Sequence, residues 1–379
     1  MSRDDPRLAE ARAMPILEVL SRLEVGNLVR AGGELVGPCP NCGGRDRFGV
    51  NLQKNIFQCR KDCSANAKGD QIALVQLALG MDFRAALEWL CGPAQGLSDA
   101  EREDRRRKAE AARLKQERIG VQERERTIKA ARELWFASKD AEGSLVRDYL
   151  ARRGIAAALL GDLPKTMRFD PAAKYVHPVK GERNKWQTLH VGAAMICAVV
   201  DGAGRVTAVH RTWLDLDQPK GKLVLRDPDN ADLVLPSKKV LGSKKGAVIR
   251  LATPKHATTM IMAEGVETTL SALIAAHQPL DAAYWCGVDL GNMSGRRESG
   301  PGKKYAGLPD MGDSEAFVPP PWVKRLIYVQ DGDSEPRLTR AKLEAGLRRA
   351  MMKNPGLKGQ IVHAGEGRDL NDILMRQHQ

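Results

Sequence analysis

The chain reads as a multidomain α/β protein: a small N-terminal domain, a helical linker, an α+β basic subdomain and a C-terminal α/β domain. Three observations predict this. Four of the seven cysteines cluster between Cys39 and Cys63. A charge-dense stretch from Ser98 to about Arg132 interrupts the apolar patterning. From about His256 onward strand and helix patterns alternate, as expected of a largely parallel sheet covered by helices. The expected boundaries are 1–95, 96–132, 133–255 and 256–379, and 379 residues suit two or three domains of roughly 150 residues each.

In the N-terminal domain the ligand pattern is Cys39-Pro-Asn-Cys42 followed by Cys59-Arg-Lys-Asp-Cys63. Between the pairs, RDRFGVNLQKNIFQC reads as two short strands around a polar turn, which returns the second pair to the first. Four thiolates so arranged make a tetrahedral, zinc-ribbon-like site, closed and therefore structural. Unliganded cysteines are the plain alternative, and this spacing disfavours it. Cys91, Cys197 and Cys286 stand alone in apolar settings and read as core residues.

The linker, SDAEREDRRRKAEAARLKQERIGVQERERTIKAAR, lacks proline and is rich in Ala, Glu, Arg and Lys. It suits one long exposed helix with salt-bridged faces, its apolar residues being too sparse for a coiled-coil seam. Beyond it, AARELWFAS and LVRDYLARRGI read as amphipathic helices. AAMICAVVD and VTAVHRTWL read as strands around the turn DGAGR, and SKKVLGSKK is basic and glycine-punctuated.

Composition adds a partner class. Sixty Lys and Arg against 47 Asp and Glu leave a formal charge of +13, which favours a polyanion, with an ordinary basic surface as the plain alternative. At 4% aromatic residues, phosphate contacts should dominate over stacked bases. No apolar run approaches the ~20 residues that cross a bilayer. The start, MSRDDPRLAEARAMP, carries no apolar core of a secretory signal, so a cytoplasmic protein without a membrane partner is expected.

In the C-terminal domain, TTMIMA runs into Glu264-Gly265, and RLIYVQ runs into Asp331-Gly332-Asp333. Functional groups in open α/β sheets gather at the carboxyl ends of strands. Carboxylates on two such ends suit Mg²⁺ or Mn²⁺, which can activate an attacking hydroxyl and stabilise leaving phosphate oxygens. Asp-Gly is also a common turn dipeptide, and a carboxylate at a helix start is also common. Their combination with the sheet pattern favours the cation site.

Residues 14–92 resemble the zinc-binding domain of bacterial and phage DNA primases. The likeness rests on PILEVLSRL, the CP-x-C knuckle, the second Cys pair, Gly69-Asp70 and Asp82-Phe83. Cellular replicative primases usually carry a His among the four ligands, whereas this chain has Cys at all four, as many phage and plasmid relatives do. The resemblance implies a role in template recognition, with Arg45, Arg47, Lys54, Arg60 and Lys61 as local phosphate contacts or plain surface charge. Residues 256–375 resemble a Toprim domain, in which a Glu follows the first strand and an Asp-x-Asp a later one. Glu264, Asp331 and Asp333 match. The run Glu264-Gly265-Val266-Glu267-Thr268 is similar to the phage and plasmid primase variant of that motif. GRDLNDIL, with Gly367, Asp369, Asn371 and Asp372, resembles a later element. The resemblance implies acid–base chemistry or metal binding for Glu264, and Mg²⁺ ligation by Asp331, Asp333 and Asp369. Less specifically, 130–255 resembles the basic subdomain that precedes Toprim in these enzymes. It implies that Arg211, Lys222, Lys238, Lys239, Lys244 and Lys245 contact template or nucleoside triphosphate, and His210 reads as a packed histidine.

Together the resemblances imply a DNA primase. It would make short RNA primers on single-stranded DNA by metal-dependent nucleotidyl transfer, for phage, plasmid or mobile-element replication. No G-x-x-x-x-G-K-[ST] occurs, so a motor would come from a separate helicase partner. The alternatives are a Toprim nuclease or topoisomerase-like enzyme and a non-catalytic DNA-binding accessory. Tyr149, Tyr175, Tyr284, Tyr305 and Tyr328 lie in no recognisable topoisomerase context. The Gly- and Pro-rich loop at 294–321, with Arg296, Arg297, Lys303 and Lys304, reads equally as a mobile nucleotide or template contact or as a disordered insertion.

Overall fold

A computed structural model describes residues 5–31, 34–93, 99–179, 185–275, 281–298, 300, 302–330, 335–363 and 370. The chain divides into two compact units, Met1–Glu123 with Val176–Leu189, and Arg124–Tyr175 with His190–Gln379.

The first unit opens with helices α1 (Pro6–Ala13) and α2 (Ile16–Arg22). An antiparallel meander follows: β1 (Val29–Ala31), β2 (Glu34–Cys39), β3 (Gly43–Asn51), β4 (Ile56–Cys59) and β5 (Lys68–Gly69), paired in that order. Helices α3 (Gln71–Leu79) and α4 (Phe83–Cys91) complete the unit. Phe48, Val50 and Phe57 from the sheet pack with Ile16, Val19, Ile72, Leu74 and Leu87 from the helices. Asp70 caps α3 by accepting from the amides of Ile72 and Ala73, and Asp82 caps α4 through Ala85. The motif residues Asp70 and Asp82 are thus helix caps.

Helix α5 (Asp99–Ala137) runs past the Arg132 that composition suggested as its end. It carries the expected ion pairs, Asp104 with Arg107 and Lys108, and Lys129 with Glu133. These are exposed and contribute little singly.

The second unit continues with β6 (Lys139–Asp140), α6 (Leu145–Arg152), α7 (Ala157–Leu160), β7 (Met167–Pro178), β8 (Trp186–Val200) and β9 (Val206–Trp213). The hairpin β10 (Leu225–Asp227) and β11 (Asn230–Leu235) precedes β12 (Lys238–Gly242). One five-stranded sheet has the order β12-β9-β8-β7-β6. Next come β13 (Ile249–Ala252), β14 (Thr259–Ala263), α8 (Val266–Ile274), β15 (Ala283–Cys286), α9 (Leu290–Ser294), β16 (Arg325–Gln330), α10 (Pro336–Lys353) and β17 (Lys358–His363). Their sheet has the order β13-β15-β14-β16-β17, parallel from β15 to β17 with β13 antiparallel at one edge.

Alternation along β14 builds the layers. Met260 and Met262 join Trp285, Leu326 and Tyr328 in a core with Leu343 and Ala350 of α10. Ile261 and Ala263 point the other way and join Tyr284, Val329 and Ala272 of α8. A strand covered on both faces needs a continuous apolar run, and TMIMA and AYWC supply one.

Among the described residues the loop between α9 and β16 is tied down. Arg349, fully buried on α10, donates to the carbonyls of Ser294, Arg296 and Asp310, and Arg348 donates to those of Ala306 and Gly307. Arg296 also pairs with Asp310 and Asp313. The described residues of 294–321 are thus held against α10 by these contacts, which does not fit the disordered insertion expected as one of the two readings. Among the described residues, no helix is long and apolar enough to cross a membrane.

Candidate metal centre and candidate active site

Two turns build the four-cysteine site. Cys39 ends β2 and pairs in register with Gly43, so the chain reverses in a tight knuckle, with Gly43 and Gly44 at φ of 62° and 88°. Cys59 ends β4, and Asp62, at φ 47°, turns the chain so that Cys63 faces back. The four sulfurs lie within 4.8 Å of one another. Cys39 Sγ is 3.8 Å from Cys63 Sγ, and Cys42 Sγ is 3.7 Å from Cys59 Sγ. A tetrahedral ion with bonds of about 2.3 Å to sulfur has edges of about 3.8 Å, so the donor set fits zinc. Burial pushes the Cys39 thiol up to about 12. At Cys59 burial is outweighed by the Lys61 backbone amide and the neighbouring thiols, and the thiol comes down to about 7. Among the described residues this is the only such group of His, Cys, Asp or Glu. Arg45, Arg60 and Lys61, close in sequence to its cysteines, are exposed, as is Lys54 in the turn between β3 and β4, and Arg47 is half-buried.

The second site lies at the carboxyl edge of the parallel sheet. Met262 pairs with Tyr328, and each strand continues in register toward Glu264 and Gln330. Glu264, half-buried, follows the end of β14 at the same edge of the sheet as Gln330, the last residue of β16. Asp331, Asp333 and Asp369 lie outside the described residues, as do Gly367, Asn371 and Asp372. At the end of β15, Cys286 Sγ lies 3.2 Å from the Glu264 carbonyl. Val288 follows at φ 73°, a strained position for a β-branched residue. Asp289 caps α9 through the Asn292 amide and pairs with Lys244. Asn292 is buried and bridges Ala247, Gly287 and Gly246.

The basic candidates are distributed in three ways. Lys222 and Lys238 both pair with Glu267, at 3.0 and 2.7 Å, and Tyr149 donates its hydroxyl to the same carboxylate. Burial alone would lift the Glu267 carboxyl, but the two ammonium groups and Tyr149 hold it well below the usual range. Burial pushes Lys222 down to about 8 against the pull of Glu267. At Lys238 the pull of Glu267 outweighs burial and the pKa rises. Lys244 pairs with Asp289, and Lys245 with Glu315, which also holds Arg124 at 3.1 Å. On the opposite sheet face Arg211 stacks over Trp213 at 5.0 Å and Lys239 over Tyr175 at 3.7 Å. Burial beside Arg211 pushes Lys239 down to about 8. His210 is buried, and burial together with Lys238 lowers it to about 3, so it is a neutral core histidine.

Sequence reasoning quoted Glu267 only as a motif letter and passed over Asp289. The signal for Glu267 lies in the sequence: the one charged side chain of the helix VETTLSALI needs cationic company if it is buried. Asp289 follows a strand end, as Glu264 does.

The chain's residues 125–251 match the model of a domain of unknown function (DUF7146), about a third of its length. No curated protein matches it. Among solved structures, a DNA primase domain from Pseudomonas aeruginosa is 12% identical, with a TM-score of 0.37, over 66% of this chain and 75% of that one. The RNA polymerase domain of Mycobacterium tuberculosis primase DnaG is 18% identical, with a TM-score of 0.32, over 67% and 82%. The primase fragment of the bacteriophage T7 primase-helicase protein is 13% identical, with a TM-score of 0.28, over 91% and 96%. These likenesses are distant, and the chemistry below rests on this chain's own residues.

Proposed function

We propose that this protein is a primase, a DNA-dependent RNA polymerase that makes short primers on single-stranded DNA from nucleoside triphosphates. The observation that carries the reading is that the parallel-paired strands β14 and β16 end at one edge of the sheet, with Glu264 next after the first and Asp331-Gly332-Asp333 next in the chain after the second. Hard carboxylate oxygens at such an edge fit Mg²⁺ or Mn²⁺, and Glu264, Asp331, Asp333 and Asp369 are the assigned ligands. Bound there, the cations would supply positive charge to the attacking 3′-hydroxyl and the leaving pyrophosphate. The 3′-oxygen bonds to the α-phosphorus as the bond to pyrophosphate breaks, and positioning does much of the work. The four-cysteine unit and the basic sheet preceding the parallel sheet support a nucleic-acid template as the second substrate.

The test is incorporation of labelled nucleotides on unprimed single-stranded DNA with Mg²⁺ or Mn²⁺. Short products are expected from the wild type, and Asp331→Ala should lower them at least a hundredfold, on the order of 3 kcal/mol in the barrier. Cleavage of DNA, or template binding with no incorporation even when a helicase is supplied, would replace this reading with a nuclease or an accessory.

A further inference from the structure

We propose that Tyr305 is a stacking platform for an unpaired base: with Lys304 and Arg337 it takes one nucleotide of a single-stranded nucleic acid beside the carboxyl edge of the parallel sheet. That this strand is the template rests on the primase reading above. The platform itself rests on the ring, its cations and its place in the fold.

The five tyrosines divide into two kinds. Tyr149, Tyr175, Tyr284 and Tyr328 are fully buried, whereas Tyr305 is 42% exposed. Where the others have a core, the Tyr305 ring has cations. Lys304 Nζ stands 5.2 Å from its centroid and the Arg337 guanidinium 5.1 Å. Both of these residues are exposed, and among the described residues neither pairs with a carboxylate, unlike Lys303 with Glu298 and Arg340 with Glu344. A π-face for a base and two cations for phosphate oxygens are the two halves of a single-strand contact. A base that takes the place of Lys304 over the ring keeps that ammonium within reach of its own phosphate.

The loop fixes the ring. Arg297 donates to the Lys304 carbonyl at 2.6 Å, and Arg348 of α10 donates to those of Ala306 and Gly307 at 2.9 and 3.1 Å. Both neighbours of Tyr305 in the chain are therefore held. Gly307, at φ 61°, lets the loop lie close on α10, since a Cβ there would stand 2.8 Å from Glu344 Oε2. A surface ordered in advance costs less when a ligand settles on it.

The ring also stands at the right edge. Arg337 lies in the first turn of α10, and Gln330, the last residue of β16, donates to the carbonyl of Pro336 beside it. The start of α10 thus abuts the strand end that leads into Asp331-Gly332-Asp333. Within a duplex each base is already stacked on its neighbours, so one exposed ring selects unpaired strand.

The test is binding of a labelled oligodeoxynucleotide to zinc-loaded, full-length protein, followed by fluorescence anisotropy across a salt series. Tyr305→Ala should weaken single-strand binding about tenfold, and Tyr305→Trp should restore it. The salt slope of Tyr305→Ala should match the wild type, because a ring releases no counterion. Lys304→Gln and Arg337→Gln should instead each reduce the slope by about 0.7. Affinity for a blunt duplex should not depend on Tyr305, which a merely structural role for the ring would not explain. Equal single-strand binding by wild type and Tyr305→Ala, failure of Tyr305→Trp to restore it, or the same loss on duplex would overturn the proposal. If the wild type makes no primers while Tyr305→Ala still loses single-strand affinity, the primase reading falls and the platform stands.

Discussion

Two polar centres among the described residues, the four cysteines and the group around Glu267, are assembled in opposite ways. The four-cysteine site draws its ligands from 25 consecutive residues and two knuckles. The Glu267 centre joins Tyr149 to Glu267 across 118 residues, through four separate elements. The first is a local device whose ligand spacing carries the geometry. The second exists only after two sheets and two helices have packed, so no spacing rule announces it. The first presents four sulfurs to one point, a donor set that fits a metal ion. The second gathers two ammonium groups and a phenol on one carboxylate.

The largest expected effect tests the local half of this contrast. Chelation, or Cys59→Ser, should unfold the cysteine-bearing sheet of the first unit, because structural zinc supplies about 10 kcal/mol even to zinc-finger peptides. Hydrogen exchange should show protection lost across β2, β3 and β4 but kept across β14, β15 and β16. Protection retained in β3 and β4 after complete metal removal would mean that the Phe48–Phe57 core, with ring centroids 5.5 Å apart, suffices by itself.

The assembled centre should respond next. Glu267→Ala strands two partly buried ammonium groups with no counter-charge, and breaking such a pair costs about 3–5 kcal/mol. Lys222→Gln leaves a balanced pair and should cost less. A urea midpoint series over the two variants settles the order. If Lys222→Gln were the more damaging, Glu267 would not be the organising group.

The two centres also separate by pH. His210, beside Lys238 and Glu267, has its folded pKa lowered to about 3 from an ordinary 6.5. Above pH 6.5 the histidine is neutral in both states. Below it the unfolded chain takes up a proton that the folded one refuses. Stability should therefore fall by up to ~1.4 kcal/mol per pH unit as pH drops from about 6.5 toward 3. Glu267, with its folded pKa held low, adds a loss of the same sign below pH 4.5. His210→Gln should flatten the slope between pH 6.5 and 4.5, measured on the second unit by hydrogen exchange. An unchanged slope would place the sensitivity elsewhere.

What could be read from the sequence follows the same divide. The cysteine pairs, the long charged helix and the strand–helix alternation were legible, because each repeats within a few turns or residues. Arg45 and Arg60 read as phosphate contacts or plain surface charge, and their exposure fits both. The partners of Lys222, Lys238, Lys244 and Lys245 were not. Each pairs with a carboxylate at least 29 residues away: Glu267 for the first two, then Asp289 and Glu315. A linear reading therefore presents all four as free cations. The Asp70 and Asp82 motif letters resolve into helix caps, a local role that the spacing allows but a family likeness does not state.

Val288 marks a third kind of illegibility, one of backbone rather than partner. Nothing in CGVDLG distinguishes it from a strand residue, yet it sits at φ 73° between Cys286, whose sulfur faces the Glu264 carbonyl, and Asp289, which caps α9. A left-handed conformation costs a residue with a Cβ roughly 1–2 kcal/mol, and Val288 is also buried, so two effects oppose each other on substitution. Comparing Val288→Ala with Val288→Gly separates them. Both delete the buried methyl groups, but only glycine relieves the backbone. Val288→Gly should be more stable than Val288→Ala by about 1 kcal/mol, read from urea midpoints. A ranking with alanine above glycine would mean that the turn after β15 is unstrained. The edge carrying Glu264 would then be held by its strands alone, without a backbone constraint at β15.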